Sequence, residues 1–91
     1  MKPIRFSDHS KIQMSLRGAV EREVEHAVRN ANWTHAKNNR FRANIRFEFN
    51  SHSPANAKYY KFKTIDVIFV DEQNEIVIVT VKVYYSNEEE F

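Results

Sequence analysis

Lysine, arginine, histidine and tyrosine can together cleave RNA without a metal, and this chain spaces them at every second residue. Arg40, Arg42 and Arg46 alternate along one stretch, Lys61 and Lys63 along the next, and Lys82 and Tyr84 along a third. His35 sits in the short segment that leads into the first of these. In metal-independent cleavage the RNA's own 2′-hydroxyl attacks the neighbouring phosphorus. The protein supplies position, a base or acid, and cations for the charge on the phosphorane. Lys82 or His35 is the acid/base candidate, and Arg46 holds the reacting phosphate with Arg40, Arg42, Lys61 and Lys63 as further RNA contacts. Tyr84 stacks on a base or positions the phosphate.

Other chemistries lack their parts. The only glycine is Gly18, so there is no glycine-rich phosphate loop and no Gly-x-Ser-x-Gly elbow. Cysteine is absent, which removes thiolate zinc sites and disulfides. His9, His26, His35 and His52 do not fall at metal-ligand spacing, and Asp71–Glu75 lacks the central glycine and terminal glutamate of a calcium loop. No metal and no cofactor is expected.

Charge is distributed unevenly. The formal net charge is only +2, yet residues 29–63 carry eight Lys/Arg against one acid, Glu48. Residues 64–91 reverse this, with Lys82 alone against seven acids. A basic block of this kind suits a polyanion. It equally suits a solvated sheet face, or a non-catalytic module that binds a protein partner through the same surface.

The elements that must position these residues follow from periodicity. A first helix is expected over 8–17, capped by Ser7 or Asp8, with Ile12 and Leu16 facing the core, His9 near the same stripe and Gly18 ending it. Val20, Val24, Ala27, Val28 and Ala31 mark a second helix over about 20–30. From Arg40 to Phe49 the alternation is strict, with Phe41, Ala43, Ile45, Phe47 and Phe49 on one side and the arginines on the other. A loop over 50–57, an extended stretch over 59–70, a polar turn over 71–75 and a strand over 76–85 complete the pattern. In that last strand Val77, Val79, Val81 and Val83 form the apolar face, and its β-branched run belongs inside a sheet. The expected fold is α+β: two N-terminal helices packed on one face of a three- to four-stranded, mostly antiparallel sheet. The other face then collects Arg40, Arg42, Arg46, Lys61, Lys63, Lys82 and Tyr84.

Ninety-one residues make a single domain, 1–91, ending in an acidic tail over 86–91. The opening Met1–Phe6 has no apolar stretch of the signal-peptide kind, and the run Ile76–Val79 is too short to span a bilayer. A cytoplasmic location is expected.

The segment from Phe6 to Val28, with His9, Met14, Arg17, Gly18, Val24 and Ala27, resembles a family of small prokaryotic domains of unknown function. Their opening reads His-(3)-Arg-Met-(2)-Arg-Gly-Ile-(Ser/Thr)-(3)-Val, and Ile76–Val81 looks like their last strand. Gln13 stands where that family has arginine, Ala19 where it has isoleucine, and Val20 where it has a Ser/Thr cap. The missing cap suggests a buried Val20. Much of the motif reads as architecture: His9 and Met14 packing, Arg17 bonding across the helix pair and Gly18 turning. The resemblance implies kinship with RelE/ParE-like toxins of the BrnT type, encoded beside an antitoxin. It makes the leading expectation a toxin that is an endoribonuclease acting on translated, ribosome-bound mRNA and neutralised by an acidic antitoxin protein.

Overall fold

The computed structural model describes residues 2–88. The order is β1 (Ile4–Phe6), α1 (Asp8–Arg17), α2 (Glu21–Asn30), β2 (Thr34–Ala36), β3 (Arg40–His52), β4 (Tyr59–Asp71) and β5 (Ile76–Ser86). The class is α+β with two helices on one sheet, but the sheet has five strands and is mixed, in the order β1-β5-β4-β3-β2. β1 runs parallel to β5, and the other pairs are antiparallel. The two strands not foreseen are three residues each, too short to show an alternation. No helix among the described residues is long and apolar enough to cross a membrane.

Helix α1 begins at Ser7, whose hydroxyl accepts the Ser10 N–H at 3.1 Å. It ends at Gly18, which adopts φ 86° and leaves no room for a side chain: a Cβ there would lie 2.6 Å from the Tyr85 hydroxyl. The buried face of α1 corrects the expectation from periodicity. Ser10, Gln13 and Met14 are buried, whereas Ile12 is 60% and Leu16 70% exposed, and His9 is exposed too. The cause is what α1 packs on. β1 covers β5 only from Ile76 to Ile78, so the backbone beyond it is an open edge that needs hydrogen-bond partners. Gln13 Oε1 accepts the Val81 N–H at 2.9 Å, and an Arg17 guanidinium N–H donates to the Val81 carbonyl at 2.8 Å. Arg17 thus bonds to the sheet rather than across the helix pair.

Helix α2 buries Val24, Ala27 and Val28 as its periodicity requires. Val20 is 49% exposed, not buried. Its N–H is accepted at 3.0 Å by Glu23 Oε1, the glutamate half of a capping box, while the Glu23 N–H donates to the Val20 carbonyl at 3.1 Å in place of a side-chain cap.

The helices cover the sheet side formed by Phe41, Ala43 and Ile45 on β3 with Ile65, Val67 and Phe69 on β4. Ile65, Phe69 and Ile78 are fully buried, each contributing about 1.5–3 kcal/mol relative to exposure. On β5 the expected face of four valines is broken by a bulge: Ile68 pairs with Thr80 but Phe69 with Ile78, leaving Val79 unmatched. The parity therefore switches, and Ile76, Ile78 and Val81 enter the core. Ser86 closes β5, and Asn87 Oδ1 accepts the Lys61 N–H at 2.9 Å, so the start of the expected tail is part of the sheet. Residues 89–91 of that tail lie outside the described residues.

Candidate nucleic-acid interface

The sheet side away from the helices is laid out in rows by the strand register. Arg42, Ile68 and Thr80 form one row, followed by Asn44, Asp66 and Lys82, then Arg46, Thr64 and Tyr84, then Glu48, Phe62 and Ser86. Neighbouring strands are about 4.8 Å apart, so each row spans about 10 Å. Arg40, Arg42, Arg46, Lys82 and Tyr84 thus share one face, as the alternation requires.

One end of this face is concave. His35, Lys37, Arg40, Arg42, Thr80 and Lys82 surround a depression of about 710 Å³, with Ile68 in its wall. The β2–β3 hairpin builds the rim. Ala36 pairs with Arg40, and the turn between them takes Asn38 and Asn39 through φ 62° and 58°, a conformation asparagine tolerates better than most residues. That turn presents Lys37 beside Arg40.

The cations differ in how far they are engaged. Arg42 Nε lies 3.3 Å from Asp66 Oδ1. The pair is close enough for ionic attraction but not aligned as a hydrogen bond, and both atoms are buried with no other partner. Arg46 lies over the Phe62 ring at 4.5 Å, a cation–π contact on the same face. Lys82 and Arg40 form no ion pair among the described residues. Tyr84 is 53% exposed, with its ring available for stacking.

Three predicted site residues fall elsewhere. Lys63 points under the helices: it is 6% exposed, its ammonium donates to the Gly18 carbonyl at 2.8 Å, and Glu23 Oε2 lies 2.8 Å away. It ties the helix–helix turn to the sheet and is closed to RNA. Its parity was readable, since it alternates in step with Ile65, Val67 and Phe69. Lys61 is exposed at the far end of β4, beyond the Phe62 row and outside the depression. His35 pairs with Phe41, ring centroids 5.1 Å apart, on the parity that carries the helices. It lines the rim of the depression that Lys82 also lines, so both acid/base candidates border it, with Lys82 on the open-face parity.

Asp66 was missed. It is 7% exposed, yet it lies between Asn44 and Lys82 on the open face, with Arg42 of the next row 3.3 Å away. The available signal was its place in the series Phe62, Thr64, Asp66 and Ile68, out of step with the core residues of the same strand.

No family model matches this chain, and neither a curated protein nor a solved structure matches it.

Proposed function

We propose that the chain is an RNA-binding domain whose open sheet face cleaves single-stranded RNA without a metal, in the manner of a RelE-like toxin. The observation that carries this reading is the gathering of Arg40, Arg42, Lys37 and Lys82 around one concavity on the face the helices leave uncovered. Cations concentrated at the mouth of a low-dielectric groove attract a polyanion far more strongly than the same charges dispersed. Arg46 and Tyr84 extend the face by one row, giving a further phosphate contact and a stacking ring.

In this reading the arginines hold successive phosphates and Arg46 offsets the charge that develops on the phosphorane. The 2′-hydroxyl gives up its proton to solvent water as its oxygen bonds to phosphorus, and the Lys82 ammonium gives a proton to the 5′-oxygen as the P–O5′ bond breaks. The products are a 2′,3′-cyclic phosphate and a 5′-hydroxyl. An acidic antitoxin protein covering the cationic face, a cytoplasmic location and ribosome-bound mRNA as substrate belong to the same proposal.

The test is induction of the chain alone, paired with incubation of purified protein and RNA in a chelator. Growth arrest and cyclic-phosphate ends, both abolished by Lys82→Ala or Arg46→Ala in proteins that still melt cooperatively, support the nuclease. A chain that is tolerated, cleaves nothing and co-purifies with an acidic protein is instead the interaction module.

A further inference from the structure

A carboxylate at the centre of a polyanion-binding face needs a reason. Asp66 repels every phosphate that approaches Arg42 or Lys82, and a threonine or asparagine at that register position would not. Its ion pair with Arg42 accounts for the charge but not for the hydrogen bonding. The 3.3 Å approach of Arg42 Nε to Asp66 Oδ1 lacks hydrogen-bond alignment, and each of these buried atoms is without another partner. Buried polar atoms are seldom left in this state, because each unmet group costs about 1–3 kcal/mol. The Asp66 side chain keeps 10% exposure, and its parity directs that exposure to the open face. Arg42 keeps 42%, so its guanidinium can move toward a phosphate and uncover the oxygen beneath.

Once Arg42 moves, the Asp66 carboxylate is an acceptor that lacks a donor, and a hydroxyl group supplies one. On a nucleic-acid backbone the hydroxyl available is the ribose 2′-OH, the group that distinguishes RNA from DNA. We propose that Asp66 accepts the hydrogen bond of a ribose 2′-hydroxyl and makes the open face selective for RNA over DNA. The inference rests on the reading of that face as an RNA surface. It does not require cleavage: the carboxylate discriminates at the binding step. With Arg42 drawn to a phosphate, a deoxyribose strand leaves Asp66 without a partner, so the penalty falls on DNA specifically.

The experiment compares a short single-stranded RNA, the same sequence as DNA, and the RNA with every 2′-OH replaced by 2′-O-methyl. Binding is read by fluorescence anisotropy within seconds of mixing, at one salt concentration. The wild-type chain is expected to bind the RNA at least about tenfold more tightly than either of the others, the scale of one hydrogen bond to a charged group. Asp66→Leu is expected to bring the RNA:DNA ratio to within about twofold, mainly by raising DNA affinity. Asp66→Asn keeps an acceptor and is expected to keep part of the ratio. A purely structural carboxylate would alter both affinities together and leave their ratio unchanged, and that result overturns the assignment. A wild-type ratio near one overturns it as well, without any variant having to fold, and leaves the face a general polyanion surface. Failure of all three strands to bind overturns the reading of the face and this assignment with it.

Discussion

Lys63 and Lys82 stand on adjacent strands of one sheet, and the pleat gives them opposite surroundings. Lys63 lies under the helices, hydrogen-bonded to the Gly18 carbonyl and paired with Glu23. Lys82 faces the other way, across from Asp66, and makes no ion pair among the described residues. The covered face spends its polar groups on holding elements together: Lys63 on the helix–helix turn, Gln13 and Arg17 on the Val81 backbone, Tyr85 on the Arg17 carbonyl at 2.6 Å. On the open face Arg40 and Lys82 form no ion pair among the described residues, Arg46 lies over the Phe62 ring, and Arg42 meets Asp66 without a hydrogen bond. Charge alone therefore does not mark a binding residue; the parity of the strand that bears it does.

The contrast is sharpest in stability. Lys63→Ala strands the Glu23 carboxylate in a mostly buried setting and is expected to destabilise the domain by about 3 kcal/mol, as breaking a buried pair does. Lys82→Ala should stay within about 0.5 kcal/mol of the wild type, being a change at an unengaged surface position. Urea denaturation of the two variants reads the difference directly. Equal losses would erase the distinction between the faces.

A smaller effect separates the two sides of α1. Gln13→Ala leaves the Val81 N–H without a partner at the β5 edge and should cost about 1–3 kcal/mol. Its neighbour Ile12→Ala, at a 60% exposed position, should cost less than about 0.5 kcal/mol despite removing an apolar side chain. Thermal melts that reverse this order would return α1 to the packing its periodicity suggests.

That reversal shows what the sequence could and could not disclose. The helix bounds, the turn at Gly18 and the strict alternation of β3 rest on local rules, and they stand in the structure as read. Arg40, Arg42, Arg46, Lys82 and Tyr84 share a face because period two is local as well. The rest is set by partners distant in the chain. α1 turns Gln13 inward because an edge strand sixty-odd residues later has unmet backbone groups. The bulge opposite Phe69 shifts the parity of half of β5, and no residue type announces it. β1 and β2 are short pieces that exist only against β5 and β3. Asp66 escaped notice because a single acid within a strand looks like solvated surface until the register sets it between Asn44 and Lys82, within reach of Arg42 in the next row.

The smallest effect is in the pH dependence of stability. Burial raises the Tyr85 phenol above the ordinary tyrosine value of 10.0, so the folded state holds that proton more tightly than the unfolded chain. Its contribution is complete below the unfolded value and is lost as pH rises through the folded one. Stability should therefore fall measurably once the pH passes the ordinary tyrosine range. Tyr85→Phe should reduce that alkaline loss while lowering stability near neutrality through the missing hydrogen bond to the Arg17 carbonyl. An unchanged alkaline limb in Tyr85→Phe would assign the loss to the exposed tyrosines.

If Arg40, Arg46 and Lys82 hold phosphates, RNA binding must weaken with salt in proportion to their number. Each neutralised phosphate of a single strand contributes about −0.7 to the slope of log affinity against log salt. The Arg40→Gln, Arg46→Gln, Lys82→Gln triple variant removes three such contacts, and its slope is expected to be shallower than wild type by about 2. A slope unchanged by the triple substitution, in a protein that melts like the wild type, would contradict the account and move the nucleic-acid contacts off this face.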